Sequence, residues 1–241
     1  MKKGTLGNRT PETFFIATAV ICCGSSAALA SFTSAGANYS VTSSAGTASC
    51  TNVPTEINSY SWVNNGGWSA NGASVTWTNN YEGVNPQSGL GFLNANMVIR
   101  NNTSSAQDFT ITAAMLGFET GPFIGSGSVG GQFVNGSSSL GMLTSTGPLW
   151  SAAADGSNVN TQLNNALFFA QPYQIVSLGN FNFSNIAFSG IDNHAAIKFS
   201  FRLSAGGEAS FTSVFAFQAI PAPAVLALIV LMPVTRSRRR R

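Results

Sequence analysis

Between Ile197 and Phe217 apolar and polar side chains alternate with a period of two. Ile197, Phe199, Phe201 and Leu203 interleave with Lys198, Ser200 and Arg202. Phe211, Ser213, Phe215 and Phe217 then line one face, with Ser210, Thr212 and Gln218 on the other. Successive side chains of a strand point to opposite faces, so the pattern predicts two strands joined as a hairpin by a turn over 204–208. Apolar faces of this kind bury themselves against a second sheet. A second hairpin is predicted the same way. Met97 and Ile99 oppose Arg100, residues 101–107 turn, and Phe109, Ile111 and Ala113 face in while Asp108, Thr110 and Thr112 face out.

Further strands are expected over 57–63, 73–79, 173–178 and 181–189. In the last, the apolar positions run Phe181, Phe183, Ile186, Phe188, and the switch from odd to even predicts a bulge at Ser184 and Asn185. The Gly-rich stretch 117–147 reads as loop with short strands, and 162–170 as a helical turn or more. No clean internal repeat is visible, and the Asn-x-Ser/Thr triplets, such as Asn101-Asn102-Thr103, read as a product of composition. Many short strands separated by Gly, Asn and Ser turns predict an all-β, antiparallel β-sandwich, with a jelly-roll-like arrangement one form of it.

Charge narrows the function. The formal charge of +3 resides at the ends of the chain. Residues 31–219 hold Arg100, Lys198 and Arg202 against Glu56, Glu82, Asp108, Glu119, Asp155, Asp192 and Glu208. Such a body offers no clustered Lys and Arg for a nucleic acid. Its length suits one domain with a sizeable core, and the chain's 18 Phe argue against disorder. Beyond the first thirty residues Cys50 is the only cysteine, so the fold is expected to hold without an internal disulfide.

Candidate chemistry is sparse. Asp192-Asn193-His194 contains the single histidine, without a Gly-x-Ser-x-Gly elbow, and reads as a solvated turn. Asp155-Gly156-Ser157-Asn158-Val159-Asn160 has oxygens at near-alternate spacing but one carboxylate, and reads as an Asp-Gly turn rather than a Ca²⁺ loop. No catalytic residue, metal site or cofactor is assigned. Tyr60, Trp62, Trp68, Trp77 and Tyr81 cluster among Asn and Gly. Exposed, their rings could stack on sugars; turned inward, they are core.

The two ends carry targeting signals. Lys2, Lys3 and Arg9 precede the apolar run 14–23, and Ala28-Leu29-Ala30 offers the small-x-small pattern read by a signal peptidase. Residues 1–30 are therefore expected to leave, and 31–219 to form the domain. At 220–241 come Pro221-Ala222-Pro223, the apolar run 224–234, and Arg236 with Arg238, Arg239, Arg240 and Arg241. The arginines set topology by resisting passage across the bilayer. The 11-residue run spans about 16 Å as a helix, against a hydrocarbon core of about 30 Å. That suits a short or temporary transmembrane helix; a permanent anchor is the other reading.

This order of Pro-x-Pro, apolar segment and Arg-rich end resembles the PEP-CTERM sorting tail of exosortase-processed bacterial proteins, over the last 22 residues. Ala222 stands where that family usually has Glu. The resemblance implies export, transient inner-membrane retention, and processing near Pro221–Pro223 by an exosortase-like membrane enzyme. It also implies a place at the cell surface or in the exopolysaccharide matrix. The resulting expectation is a non-enzymatic surface or matrix protein. A carbohydrate-binding module is the alternative, and a secreted hydrolase a more distant one.

Overall fold

The computed structural model describes residues 36–52, 61–82, 90–116 and 122–220. In chain order the strands are β1 (Gly36–Ser43), β2 (Gly46–Asn52), β3 (Ser61–Ala70), β4 (Ala73–Glu82), β5 (Leu90–Asn101), β6 (Gln107–Leu116) and β7 (Phe123–Asn135). There follow β8 (Gly141–Thr144), β9 (Pro148–Ala154), β10 (Ser157–Asn164), β11 (Leu167–Ala170), β12 (Ile175–Phe188), β13 (His194–Leu203) and β14 (Gly207–Ala219). Every pairing is antiparallel. One sheet runs β10-β9-β13-β6-β1-β2, with β8 and β11 continuing its β9–β10 side, and the other runs β12-β7-β14-β5-β4-β3. The expected all-β, two-sheet architecture is observed. Among the described residues no helix is long and apolar enough to cross a membrane; the leader and tail lie outside them.

The inner faces meet in one core. Phe199 of β13 lies 4.8 Å from Phe211 of β14, centroid to centroid, and Tyr39 of β1 stacks on Trp77 of β4 at 4.0 Å. Trp150 of β9 is fully buried and donates its indole N–H to the buried Ser213 hydroxyl of β14 at 2.6 Å, tying the sheets at their centre. Each fully buried Phe contributes about 1.5–3 kcal/mol.

The alternation gave the correct inward faces for β5, β6, β13 and β14, and β4 covers the segment predicted at 73–79. The two predicted hairpins are nonetheless something else. β5 and β14 lie in one sheet, β6 and β13 in the other, so each connection is an arch between sheets. The reason lies at Asn101, whose side chain is completely buried. Its Nδ2 donates to the carbonyls of Ser105 (2.8 Å), Leu203 (2.9 Å) and Ser204 (3.0 Å), and its Oδ1 accepts from the Thr103 N–H (3.1 Å) and hydroxyl (2.7 Å). One amide therefore holds its own turn and clips the neighbouring arch to it.

Asn135 repeats the arrangement at the next arch. Its Nδ2 donates to the carbonyls of Ser139, Ala170 and Gln171, and its Oδ1 accepts from the N–H and hydroxyl of Ser137. The two sequences, Asn-Asn-Thr-Ser-Ser at 101–105 and Asn-Gly-Ser-Ser-Ser at 135–139, are a short repeat. They are structural rather than a product of composition.

Much of the Gly-rich segment is likewise strand rather than loop. Residues 123–135 form β7, a 13-residue strand between β12 and β14. A Cβ on Gly127 would lie 2.6 Å from Phe183, and one on Gly131 2.9 Å from Phe211. The missing side chains make room for phenylalanine rings on bare backbone. The segment read as helical, 162–170, ends β10 and forms β11, while 173–178 and 181–189 merge into β12. The predicted bulge is there: the β12–β7 register shifts between Phe183 and Ile186, with Asn185 at φ 58°.

Candidate functional site

The middle of the outer face of the β12-β7-β14-β5-β4-β3 sheet carries amides and hydroxyls in register. One row crosses all six strands as Asn180, Gly130, Thr212, Asn96, Thr78 and Asn65. The rows beside it begin Ser177, Gln132, Ser210 and Asn182, Ser128, Val214. Gly130 has no side chain between these two rows, so the surface sinks into a trough of about 570 Å³ over β12, β7 and β14. Backbone of Gly130 and Gly131 floors it, and the Asn180 side chain leans across Gly130. Ile175, which is 61% exposed, adds an apolar end.

Among the described residues no ionisable side chain lines the trough. The nearest charges in the register, Glu208 and Arg100, neutralise each other across β14 and β5 at 2.6 Å. Asn94 and Asn96, farther along the face, bond to each other at 2.8 Å. Asn180, Asn182, Gln132 and Thr212 instead point to solvent with no side-chain hydrogen bond among the described residues. Chemically the trough is a neutral set of donors and acceptors beside a small apolar surface.

None of these residues stood out in the sequence. A signal existed in Asn180-Phe181-Asn182-Phe183, whose alternation assigns both asparagines to the outward face. Their meeting with Gly130 and Thr212 depends on a three-strand register that local pattern does not encode.

The aromatic cluster is placed differently. Trp77 is 8% exposed, with Tyr39 stacked on it and the Gly66 backbone close to its ring. It is a core residue. Trp68 is half-buried and packs against the core. Trp62 and Tyr81 sit opposite each other in the backbone pairing of β3 and β4. Tyr60 lies outside the described residues, as do Ala28, Ala30, Pro221, Ala222, Pro223, Arg236 and Arg238–Arg241.

Asp155 and Gly156, at φ 49° and 81°, form the expected Asp-Gly turn of the β9–β10 hairpin. The Asp155 carboxylate accepts the backbone N–H groups of Asp192 (2.6 Å), Asn193 (2.7 Å) and His194 (2.9 Å), so it clips the β12–β13 loop. Burial pushes its pKa up, but those three N–H groups and the nearby His194 outweigh it and hold the carboxyl below its ordinary value. The His194 ring stands 4.0 Å from it. Arg202 pairs with Asp108 at 3.2 Å across β13 and β6. Among the described residues no cluster of three or more His, Cys, Asp and Glu side chains could hold a metal ion.

No family model matches the chain, and no curated protein matches it. Among solved structures, similarity is found to TmCBM61 in complex with beta-1,4-galactotriose, at 10% identity over 62% of this chain and 90% of that one. The TM-score is 0.23.

Proposed function

We propose that this chain is an exported, non-enzymatic protein of the bacterial surface or extracellular matrix, delivered by its two ends. In this reading residues 1–30 direct export and are removed by signal peptidase. Residues 220–241 hold the chain briefly in the inner membrane until an exosortase-like enzyme acts near Pro221–Pro223. The body is a passive sandwich that presents a hydrogen-bonding surface to its surroundings. One observation carries this view: the described charged groups that find partners are used structurally. Asp155 clips a loop, Arg100 pairs with Glu208 and Arg202 with Asp108, while the outer face offers amides and hydroxyls. A reactive site needs such groups converging on a cleft.

Changing Arg238–Arg241 to Glu tests the delivery half. Without the cationic stop the tail slips through the bilayer, and the membrane-retained fraction of the precursor falls. An unchanged retained fraction contradicts the proposed role of the tail.

A further inference from the structure

We propose that the trough over β12, β7 and β14 binds a segment of an uncharged polysaccharide. This deepens the matrix reading by giving the sandwich a ligand class and a place to hold it. Three features of the site lead there. Among the described residues its lining contains no ionisable group, and the nearest acid and base are already paired with each other, so neither an anionic nor a cationic polymer gains a counter-charge. Its amides each offer donors and an acceptor, and its hydroxyls offer both, which matches a ligand whose polar groups are themselves hydroxyls. Those amides are left open while the amides of Asn94 and Asn96, on the same face, are bonded together.

Shape selects a chain over a small molecule. The trough is a shallow depression in a sheet rather than an enclosed cavity, and its polar row continues through Thr212, Asn96 and Thr78. An extended polymer laid across the strands, which lie about 4.8 Å apart, meets Asn180, crosses the bare Gly130 backbone and then meets Thr212. Many weak contacts then add up without a deep pocket. Ile175 supplies an apolar patch for the C–H face of a sugar ring at one end.

The test is affinity electrophoresis of the purified full chain through gels containing dextran, hydroxyethylcellulose or pullulan, with polygalacturonate as an anionic control. Retardation is expected in at least one neutral gel; polygalacturonate also holds the arginine-rich tail, so any retardation there should be the same in wild type and in the trough variant. The Asn180→Ala/Asn182→Ala double variant removes two exposed amides, and should weaken the retarding interaction roughly tenfold with the melting temperature unchanged. No retardation in any neutral gel overturns the proposal. So does retardation that survives the double variant, or that is lost on Trp68→Ala instead, which moves the site to the aromatic strands. Retardation by polygalacturonate that is lost in the double variant also overturns it, because the trough would then take an anionic polymer. Export and tail processing are read by fractionation and mass, so their failure is separable from the failure of this site.

Discussion

Replacing Asn101 with alanine should destabilise the domain by about 2–4 kcal/mol. The amide makes its bonds in a fully buried position, where water cannot substitute. Its two Nδ2 hydrogens are shared among three carbonyls, and its Oδ1 accepts two further bonds from Thr103. A net worth of about 1 kcal/mol per bond gives an upper figure near 4 kcal/mol. The Thr103 hydroxyl has one hydrogen shared between Asn101 Oδ1 and the Ser105 carbonyl at 2.7 Å, and it can turn wholly to the carbonyl, which lowers the loss. The Leu203 carbonyl is buried and left without this donor, which raises it. Total stability of a domain is about 5–15 kcal/mol, so the loss is a large share. At this size it corresponds to a fall in melting temperature of roughly 5–15 °C. Urea denaturation of wild type, Asn101→Ala and the exposed control Asn102→Ala measures it. A shift below about 1 kcal/mol for Asn101→Ala, equal to that of the control, would refute the view that one buried amide holds two arches together.

Four further outcomes follow from other parts of the fold. Gly127→Ala places a Cβ 2.6 Å from both the Phe183 ring and the Val214 carbonyl, and should cost about 1–3 kcal/mol. Gly147→Ala meets nothing within 4 Å, and thermal melting should show it near wild type. Trp150→Phe removes the bond to Ser213 and strands a buried hydroxyl, for a loss of about 1–3 kcal/mol by urea denaturation. Asp155 has a folded-state pKa below its unfolded one, so its contribution is present above the unfolded value and is lost as pH falls through the folded value. The stability gap between wild type and Asp155→Ala should therefore be largest near pH 6 and shrink on acidification; a gap constant down to pH of about 2 contradicts the loop-clip role.

What the sequence revealed, and what it hid, has a physical pattern. The alternation around Ile111, Phe199 and Phe215 reports which face of a strand is buried, because side-chain direction is set by the local backbone. The slip at Ser184 and Asn185 was readable for the same reason. Alternation does not report which strand lies alongside. β13 and β14 would show the same pattern as a hairpin or as an arch, and the choice falls to Asn101, 102 residues from the Leu203 carbonyl it holds. Glycine propensity misled at Gly125, Gly127 and Gly131, where rings from Phe183, Phe188, Phe211 and Phe215 occupy the space that a Cβ would take. Trp77 illustrates the limit for sites. Its residue type admits stacking on a sugar or on Tyr39, and only the partner sheet shows that Tyr39 takes the place.

The intact mass of the mature protein, together with the cell fraction that contains it, tests the central claim of an exported body freed of both ends. The account predicts a product outside the inner membrane that begins at Ser31 and ends near Pro221–Pro223. The undivided 25.0 kDa chain in the cytosol, with leader and arginines intact, would contradict it.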